Sequence, residues 1–353
     1  MIRVLVVDDS ALVRKVLSEE LSRHEGIEVV GTAIDPYVAR DRIIALRPDV
    51  LTLDVEMPRM DGLSFLAKLM KHYPMPVVVV SSLTPANSEA ALRALELGAV
   101  DVIPKPGSAF TTPDVGRTLV RAIRAAANAK IRARDPEEQL PDTPGTPARR
   151  ALLKLATTHK VIAIGASTGG TRAIEAVLRS FPRDAPGTVI VQHMPAPFTG
   201  PFAERLNQQC DVEVREARDN DVVVPGVVLI APGNRHMVLQ SSGARYHVRL
   251  KDGPPVLHQR PAVDVLFHSV AKSAGRNAVG VLLTGMGADG ARGLLAMKES
   301  GAQTIAEAEE TCVVFGMPRE AIRLKAAGDV VPLPLIAERM LALLAGDAGS
   351  AVR

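Results

Sequence analysis

Residues 161–170 read VIAIGASTGG, a run of small and apolar residues that closes on a glycine-rich turn with a serine inside it. A short apolar run bounded by glycines predicts a buried strand feeding a tight strand-to-helix turn. Ser167 is therefore expected at the carboxyl end of a strand, where open α/β sheets place their ligands. A hydroxyl held there, beside main-chain N–H groups at a helix start, has the disposition of a nucleophile next to an oxyanion site.

Working outward, the surrounding sequence repeats the same rhythm. Further strands are expected at 188–193, 212–216, 227–231, 279–284 and 303–307, with helices near 170–180, 198–209, 261–274, 290–299 and 318–325. Residues 237–251 differ: two short runs flank a Gly-containing turn, which predicts a hairpin on the sheet's edge. Upstream, apolar runs at 3–7, 28–33, 50–53, 77–80 and 100–103 alternate with amphipathic segments around 11–23, 36–46, 62–72 and 86–97, and a fifth helix fits 114–130. Apolar strands alternating with helices predict parallel sheets covered on both faces. The expected fold is thus α/β twice over: a flavodoxin-like (βα)5 domain over 1–125, and a three-layer αβα, Rossmann-like domain over 158–348. Between them, residues 126–157 are expected to be a linker, because DPEEQLPDTPGTPARR at 135–150 is too rich in proline and charge to bury itself.

Composition narrows the function classes. At 47% hydrophobic residues the chain supports real cores, and a net charge of +3 is too small to imply nucleic acid. No helix-turn-helix pair or basic recognition helix stands in 158–353. Cys210 and Cys312 lack metal-type spacing and read as buried small hydrophobes. MIRVLVVDD reaches charge within nine residues, which excludes a signal peptide and predicts a cytoplasmic protein without membrane insertion.

The N-terminal domain gathers carboxylates. Asp8 and Asp9 follow its first strand, Asp54 ends the third, Ser81 the fourth, and Lys105 follows the fifth. In a sheet of order 2-1-3-4-5 these ends meet at the switch point. Three carboxylates there favour a hard cation, Mg²⁺ being the natural choice. Phosphoryl transfer to Asp54 would then use that charge and the Lys105 ammonium to neutralise phosphate oxygens, with Ser81 positioned to hydrogen-bond the phosphate. The motifs VVDDS (6–10), LDVEMPRMDG (53–62), VVVVSS (77–82) and PKP (104–106) resemble response-regulator receiver domains. That resemblance implies a histidine kinase as phosphodonor, Asp54 as phosphoacceptor, and the Glu56 carbonyl near the metal with Asp8 and Asp9. Receivers often carry an aromatic switch residue, and LGAVDV at 97–102 offers none.

For GASTGG three readings compete. As a dinucleotide fingerprint it fails at Ser167, where a glycine is needed for close approach to a pyrophosphate. As a G-x-S-x-G hydrolase elbow it matches in letters, but the best histidine follows directly on the next strand instead of after the acid. The third reading is a serine hydrolase in the order Ser167, His193, Asp289, each at a strand's carboxyl end, with the Met286 N–H in LTGMGADG (283–290) as oxyanion donor. Asp264 and Asp219 compete as the acid, and Ser167 or Thr168 could instead be a helix cap.

Together GASTGG, VQHMP (191–195), IAPG (230–233), RPAVDVLFHSVA (260–271), LTGMGADG and VVFGMPREA (313–321) resemble the chemotaxis protein-glutamate methylesterases, the CheB family. The resemblance implies Ser167 as nucleophile, His193 as base and Asp289 as orienting acid, with Thr168 and Met286 beside the substrate. It implies phosphorylation-activated hydrolysis of glutamate γ-methyl esters on the cytoplasmic helices of chemoreceptors, releasing methanol, and deamidation of receptor glutamines. No cofactor is expected for the hydrolysis itself. A non-catalytic output domain that binds a ligand or partner is the alternative.

Overall fold

The computed structural model describes residues 1–57, 59–82, 84–105, 112–131, 159–243 and 245–345. The chain divides into two compact units, Met1–Glu138 and Gln139–Arg353. The expected linker lies, from residue 132 on, outside the described residues.

In the first unit, strands β1 (Ile2–Val7), β2 (Ile27–Ala33), β3 (Val50–Asp54), β4 (Val77–Ser81) and β5 (Asp101–Pro104) alternate with helices α1 (Ala11–Ser22), α2 (Pro36–Leu46), α3 (Gly62–His72), α4 (Pro85–Leu97) and α5 (Thr112–Ala127). The sheet is parallel in the expected order β2-β1-β3-β4-β5. Strands β3 and β4 are buried at every residue, as their unbroken apolar runs require. One face of the sheet packs Val4, Val6, Val78 and Val80 against Leu119 and Ile123 of α5. The Ser10 hydroxyl accepts from the Val13 N–H and the Asp35 carboxylate from those of Tyr37 and Val38, so polar side chains cap α1 and α2.

The second unit is built on a seven-stranded parallel sheet. Its strands are β6 (Val161–Ala166), β7 (Gly187–Gln192), β8 (Glu213–Glu216), β10 (Val227–Ile230), β13 (Ala278–Leu282), β14 (Gln303–Glu307) and β15 (Asp329–Val331), in the order β15-β14-β13-β6-β7-β10-β8. Helices α6 (Gly170–Leu178), α7 (Ala196–Gln209), α8 (Val263–Ser273), α9 (Ala291–Glu299), α10 (Met317–Arg323) and α11 (Leu333–Ala345) accompany it. The chain leaves β6 toward β7 and returns to the other side through β13, so the switch point lies between β6 and β13. Small residues set the spacing there. A Cβ on Gly165 would run into the Val263 side chain of α8, and one on Gly280 would come within 2.8 Å of Met297 Sδ of α9. Val263, Leu266, Phe267 and Met297 accordingly lie flush on the sheet, fully buried.

The expected hairpin is present as β11 (His236–Ser242) and β12 (Arg245–Lys251), paired antiparallel. It joins β9 (Val222–Val223) in a separate three-stranded sheet and not the edge of the large one. The cause lies in α8: its Ser269 and Ser273 hydroxyls bond the Leu239 N–H and C=O, occupying the groups by which β11 would extend a larger sheet. Strands β9 and β15 and helix α11 were not expected from the sequence pattern. No helix among the described residues is long and apolar enough to cross a membrane.

Candidate active site and acidic pocket

Ser167, His193 and Asp289 follow β6, β7 and β13, three neighbouring strands, and so share one rim at the switch point. The register sets them side by side. Ala166 pairs with Gln192 and Gly165 with Leu282, and the ladder runs on past the strand ends: His193 N–H donates to Ala166 O at 3.0 Å, and Ser167 N–H to Thr284 O at 3.0 Å. All three side chains are buried or nearly so.

The turn after Ser167 does not use it as a cap. Helix α6 begins at Gly170, its N-cap is Gly169 in the left-handed region (φ +80°), and no side chain caps it. Neither Ser167 nor Thr168 therefore caps this helix. Ser167 is fixed through its main chain: its carbonyl accepts from Gly170 N–H at 2.7 Å and from Gln192 Nε2 at 2.9 Å. The same Gln192 amide lies 3.2 Å from the His193 carbonyl, so one buried side chain ties the backbones of the two residues together.

The His193 ring is oriented by Asp289. Nε2 stands 2.7 Å from Asp289 Oδ2, and Nδ1 is buried without a hydrogen-bond partner. The carboxylate also accepts the Val263 N–H on Oδ2 at 2.8 Å and the Asp264 N–H on Oδ1 at 2.9 Å, both at the start of α8. Burial pushes the Asp289 carboxyl up, but the His193 pair and these two N–H groups outweigh it and hold the group below the ordinary aspartate value. An ionised Asp289 selects the Nε2–H tautomer, which leaves the Nδ1 lone pair for proton abstraction. No side-chain hydrogen bond joins Ser167 to His193 among the described residues; such contacts tighten on substrate binding.

The competing acids are placed elsewhere. Asp264 is buried behind Asp289, its Oδ1 accepting from Gly293 N–H at 2.7 Å, and burial pushes its carboxyl up. Asp219 accepts from Leu250 N–H and pairs with Arg249 at the three-stranded sheet.

Thr168 is buried, its carbonyl accepting the Thr284 hydroxyl at 3.0 Å. Met286 is half-buried in a loop clamped by residues 314–317: Gly285 N–H donates to Val314 O, and Met317 N–H to Gly285 O at 2.8 Å. The Met286 N–H itself has no protein partner among the described residues. Gly285 lies hard against the turn. A Cβ there would stand 2.7 Å from Ser167 Cβ and collide with the Met317 sulfur. Gly285→Ala is therefore expected to cost about 1–3 kcal/mol of stability and to depress hydrolysis beyond the fraction unfolded, which a thermal melt beside an activity assay will show. Gln192 and the Val263 and Asp264 N–H groups carried no chemical signature in the sequence; only the fold brings them to the site.

In the first unit the acidic pocket forms at the β1/β3 switch point. Ligand oxygens of Asp8, Asp9 and Asp54 lie within 4.8 Å of one another, Asp8 and Asp54 buried and Asp9 exposed. Lys105 Nζ stands 2.7 Å from Asp54 Oδ2 and 3.1 Å from Asp8 Oδ2. Burial pushes the Asp54 carboxyl up to about 6 against the Lys105 hydrogen bond, and the Asp8 charge adds to the rise. The two carboxylates lift the Lys105 ammonium above its ordinary value despite its burial. Ser81 is buried at the end of β4, its carbonyl accepting the Lys105 N–H at 2.9 Å. Glu56 is exposed, and its N–H donates to Asp54 Oδ1 at 3.1 Å. The pocket fits a divalent cation by its donor set: three carboxylates whose oxygens lie within 4.8 Å face the single Lys105 ammonium, which leaves the cluster net negative and suited to a hard cation.

Comparison with known proteins matches a family to each of the two units. Residues 162–340 match the CheB methylesterase family and residues 4–111 the response regulator receiver domain family. The chain is 58% identical over 344 residues to a protein-glutamate methylesterase/protein-glutamine glutaminase of Syntrophus aciditrophicus, covering 97% of this chain and 99% of the relative. The Escherichia coli protein of the same description is 53% identical over 354 residues, covering 100% and 99%. Among solved structures, the Thermotoga maritima CheB methylesterase catalytic domain superimposes with a TM-score of 0.51 at 39% identity, covering 52% of this chain and 98% of that one.

Proposed function

The chain belongs to the CheB methylesterase family, and from that premise we propose that Ser167, His193 and Asp289 are the nucleophile, base and orienting acid of its hydrolysis. It is a protein-glutamate methylesterase and protein-glutamine glutaminase joined to a receiver domain. The observation that carries the assignment is the buried His193–Asp289 pair at 2.7 Å, with His193 and Ser167 each one residue past the Ala166–Gln192 pair that ends their strands. Two such groups are expensive to bury, and a non-catalytic binding domain gives no reason to orient a ring whose second nitrogen has no partner.

The chemistry follows from the tautomer. Ser167 Oγ attacks the ester carbonyl carbon of a glutamate γ-methyl ester while His193 Nδ1 takes its proton. The Met286 N–H faces the oxygen that gains charge, with Thr168 beside it. His193 returns the proton to the departing methoxide, which leaves as methanol, and a water activated by the same nitrogen hydrolyses the acyl-serine to glutamate. A glutamine side chain follows the same course with ammonia as leaving group. The substrates of this reading are the cytoplasmic helices of chemoreceptors, and the protein acts in the cytoplasm.

Control rests on Asp54 as phosphoacceptor from a chemotaxis histidine kinase. Asp8, Asp9 and Asp54, with the Glu56 carbonyl, would hold Mg²⁺, which supplies positive charge for the phosphoryl oxygens. Lys105 and the Ser81 hydroxyl are the protein's own partners for the phosphoryl group. The deciding experiment measures methanol release from methyl-esterified receptor, with and without a small phosphodonor and Mg²⁺. Release stimulated by the phosphodonor is expected, and no release under any condition would overturn the reading. Asp54→Asn is expected to abolish the stimulation and to leave basal hydrolysis unchanged; a stimulated Asp54→Asn protein would place the phosphoacceptor elsewhere.

A further inference from the structure

Glu307, the last residue of β14, is fully buried, and among the described residues no lysine, arginine or histidine pairs with it. A carboxyl in that setting is costly and calls for a reason. Its Oε2 accepts the Thr284 N–H at 2.8 Å, whereas Oε1 is buried without a hydrogen-bond partner.

Thr284 in turn holds the nucleophile's turn from below. Its carbonyl accepts the Ser167 N–H at 3.0 Å, and its hydroxyl donates to Thr168 O at 3.0 Å while accepting the Val314 N–H at 2.9 Å. It is also two residues ahead of Met286 in the chain. A shift of Thr284 therefore moves the attacking hydroxyl and the oxyanion donor together, the two groups whose placement matters most in the transition state.

We propose that Glu307 is a positioning residue for the hydrolysis, acting on Ser167 and the Met286 N–H through Thr284, and that it works as a hydrogen-bond acceptor and not as a charge. The proposal rests on the reading of Ser167 as nucleophile. Burial pushes the carboxyl up to about 7, with the Thr284 N–H, the Thr311 hydroxyl and the Cys312 thiol opposing the rise. Either protonation state keeps Oε2 as acceptor for the Thr284 N–H, and the protonated acid carries its proton on Oε1. A glutamine reproduces that arrangement, carbonyl for Oε2 and amide nitrogen for Oε1.

The test uses the full-length chain with methyl-esterified receptor and compares Glu307→Gln, Glu307→Leu, Glu307→Met and Ser167→Ala, with a thermal melt on each. Glu307→Leu is expected to lower kcat about tenfold or more with KM within about threefold, since loosening of reacting groups by about 1 Å is enough for such losses. Glu307→Gln is expected within about twofold of wild type. If the leucine variant fails to fold, Glu307→Met decides: it keeps the length of the side chain, loses the acceptor for the Thr284 N–H, and is expected to lose about tenfold in kcat. A folded Glu307→Leu or Glu307→Met protein with wild-type kcat overturns the proposal, as does a loss confined to KM or a glutamine variant as impaired as the leucine. A Ser167→Ala protein that still hydrolyses the ester overturns the nucleophile reading and this proposal with it. An inactive one beside an unimpaired, folded Glu307→Leu sinks the Glu307 proposal alone.

Discussion

Ser167→Ala is expected to lower kcat for methyl-ester hydrolysis by a factor on the order of 10⁶, leaving only what binding and the oxyanion site supply. The fold is expected to survive unchanged, because everything that fixes the turn is main chain. The Ser167 N–H still reaches Thr284 O, and its carbonyl still accepts from Gly170 and Gln192. The hydroxyl caps no helix, the N-cap of Gly170–Leu178 being Gly169. A stability change within about 0.5 kcal/mol is therefore expected, as for a substitution away from any packing or capping role. Methanol release and a thermal melt on the same preparation separate the two effects. Hydrolysis that persists in a folded Ser167→Ala protein would move the nucleophile elsewhere, with the adjacent Thr168 first in line. A large loss of stability would return Ser167 to a structural role.

How much of this was legible beforehand depends on the range of the interactions. The strand order of the first unit and the rim shared by Ser167, His193 and Asp289 are written locally: apolar runs end in polar residues, Ser167 and His193 directly after their strands and Asp289 in the loop that follows Ala278–Leu282. The hairpin was legible as a pair of strands but not as a separate sheet, because that follows from Ser269 and Ser273, some thirty residues away, bonding Leu239. Helix Leu333–Ala345 begins beside Pro332 and Pro334, residues that break helices in the interior but suit a helix's first turn, and no element was expected there from the sequence pattern. Strand Asp329–Val331 is too short to show a period. At the site, the supporting residues are the illegible ones. Gln192 reaches a carbonyl 25 residues away, Thr284 one 116 residues away, and Glu307 an N–H 23 residues away. Nothing in their types marks them, since a glutamine, a threonine and a glutamate at strand ends are ordinary.

The same distinction governs Asp289, whose type was legible and whose setting was not. Asp289→Asn is expected to lower kcat by about 10⁴, and the reason here is a count of donors. Three of them converge on one carboxylate: the His193 ring and the Val263 N–H on Oδ2, and the Asp264 N–H on Oδ1. Asparagine offers a single acceptor oxygen. With that oxygen in the Oδ2 position, its amide group faces the Asp264 N–H, donor against donor, and a buried N–H is left unpaired at about 1–3 kcal/mol. With the amide group in the Oδ2 position, it opposes the Val263 N–H and drives His193 to accept at Nε2. The ring proton then sits on Nδ1, the nitrogen that must be bare to take the serine's proton. Either orientation destabilises the rim, and the second also removes the base. Asp264→Asn supplies the contrast. Its Oδ1 accepts the Gly293 N–H at 2.7 Å and the Gly290 main chain also bonds the group, fewer donors than converge on Asp289, and burial already favours an uncharged group there. That variant is expected to keep kcat within about tenfold of wild type. Equal losses from the two would mean that the pair acts as one buried acidic cluster; a loss confined to Asp264→Asn would make it the acid and reduce Asp289 to a cap on the helix at Val263–Ser273.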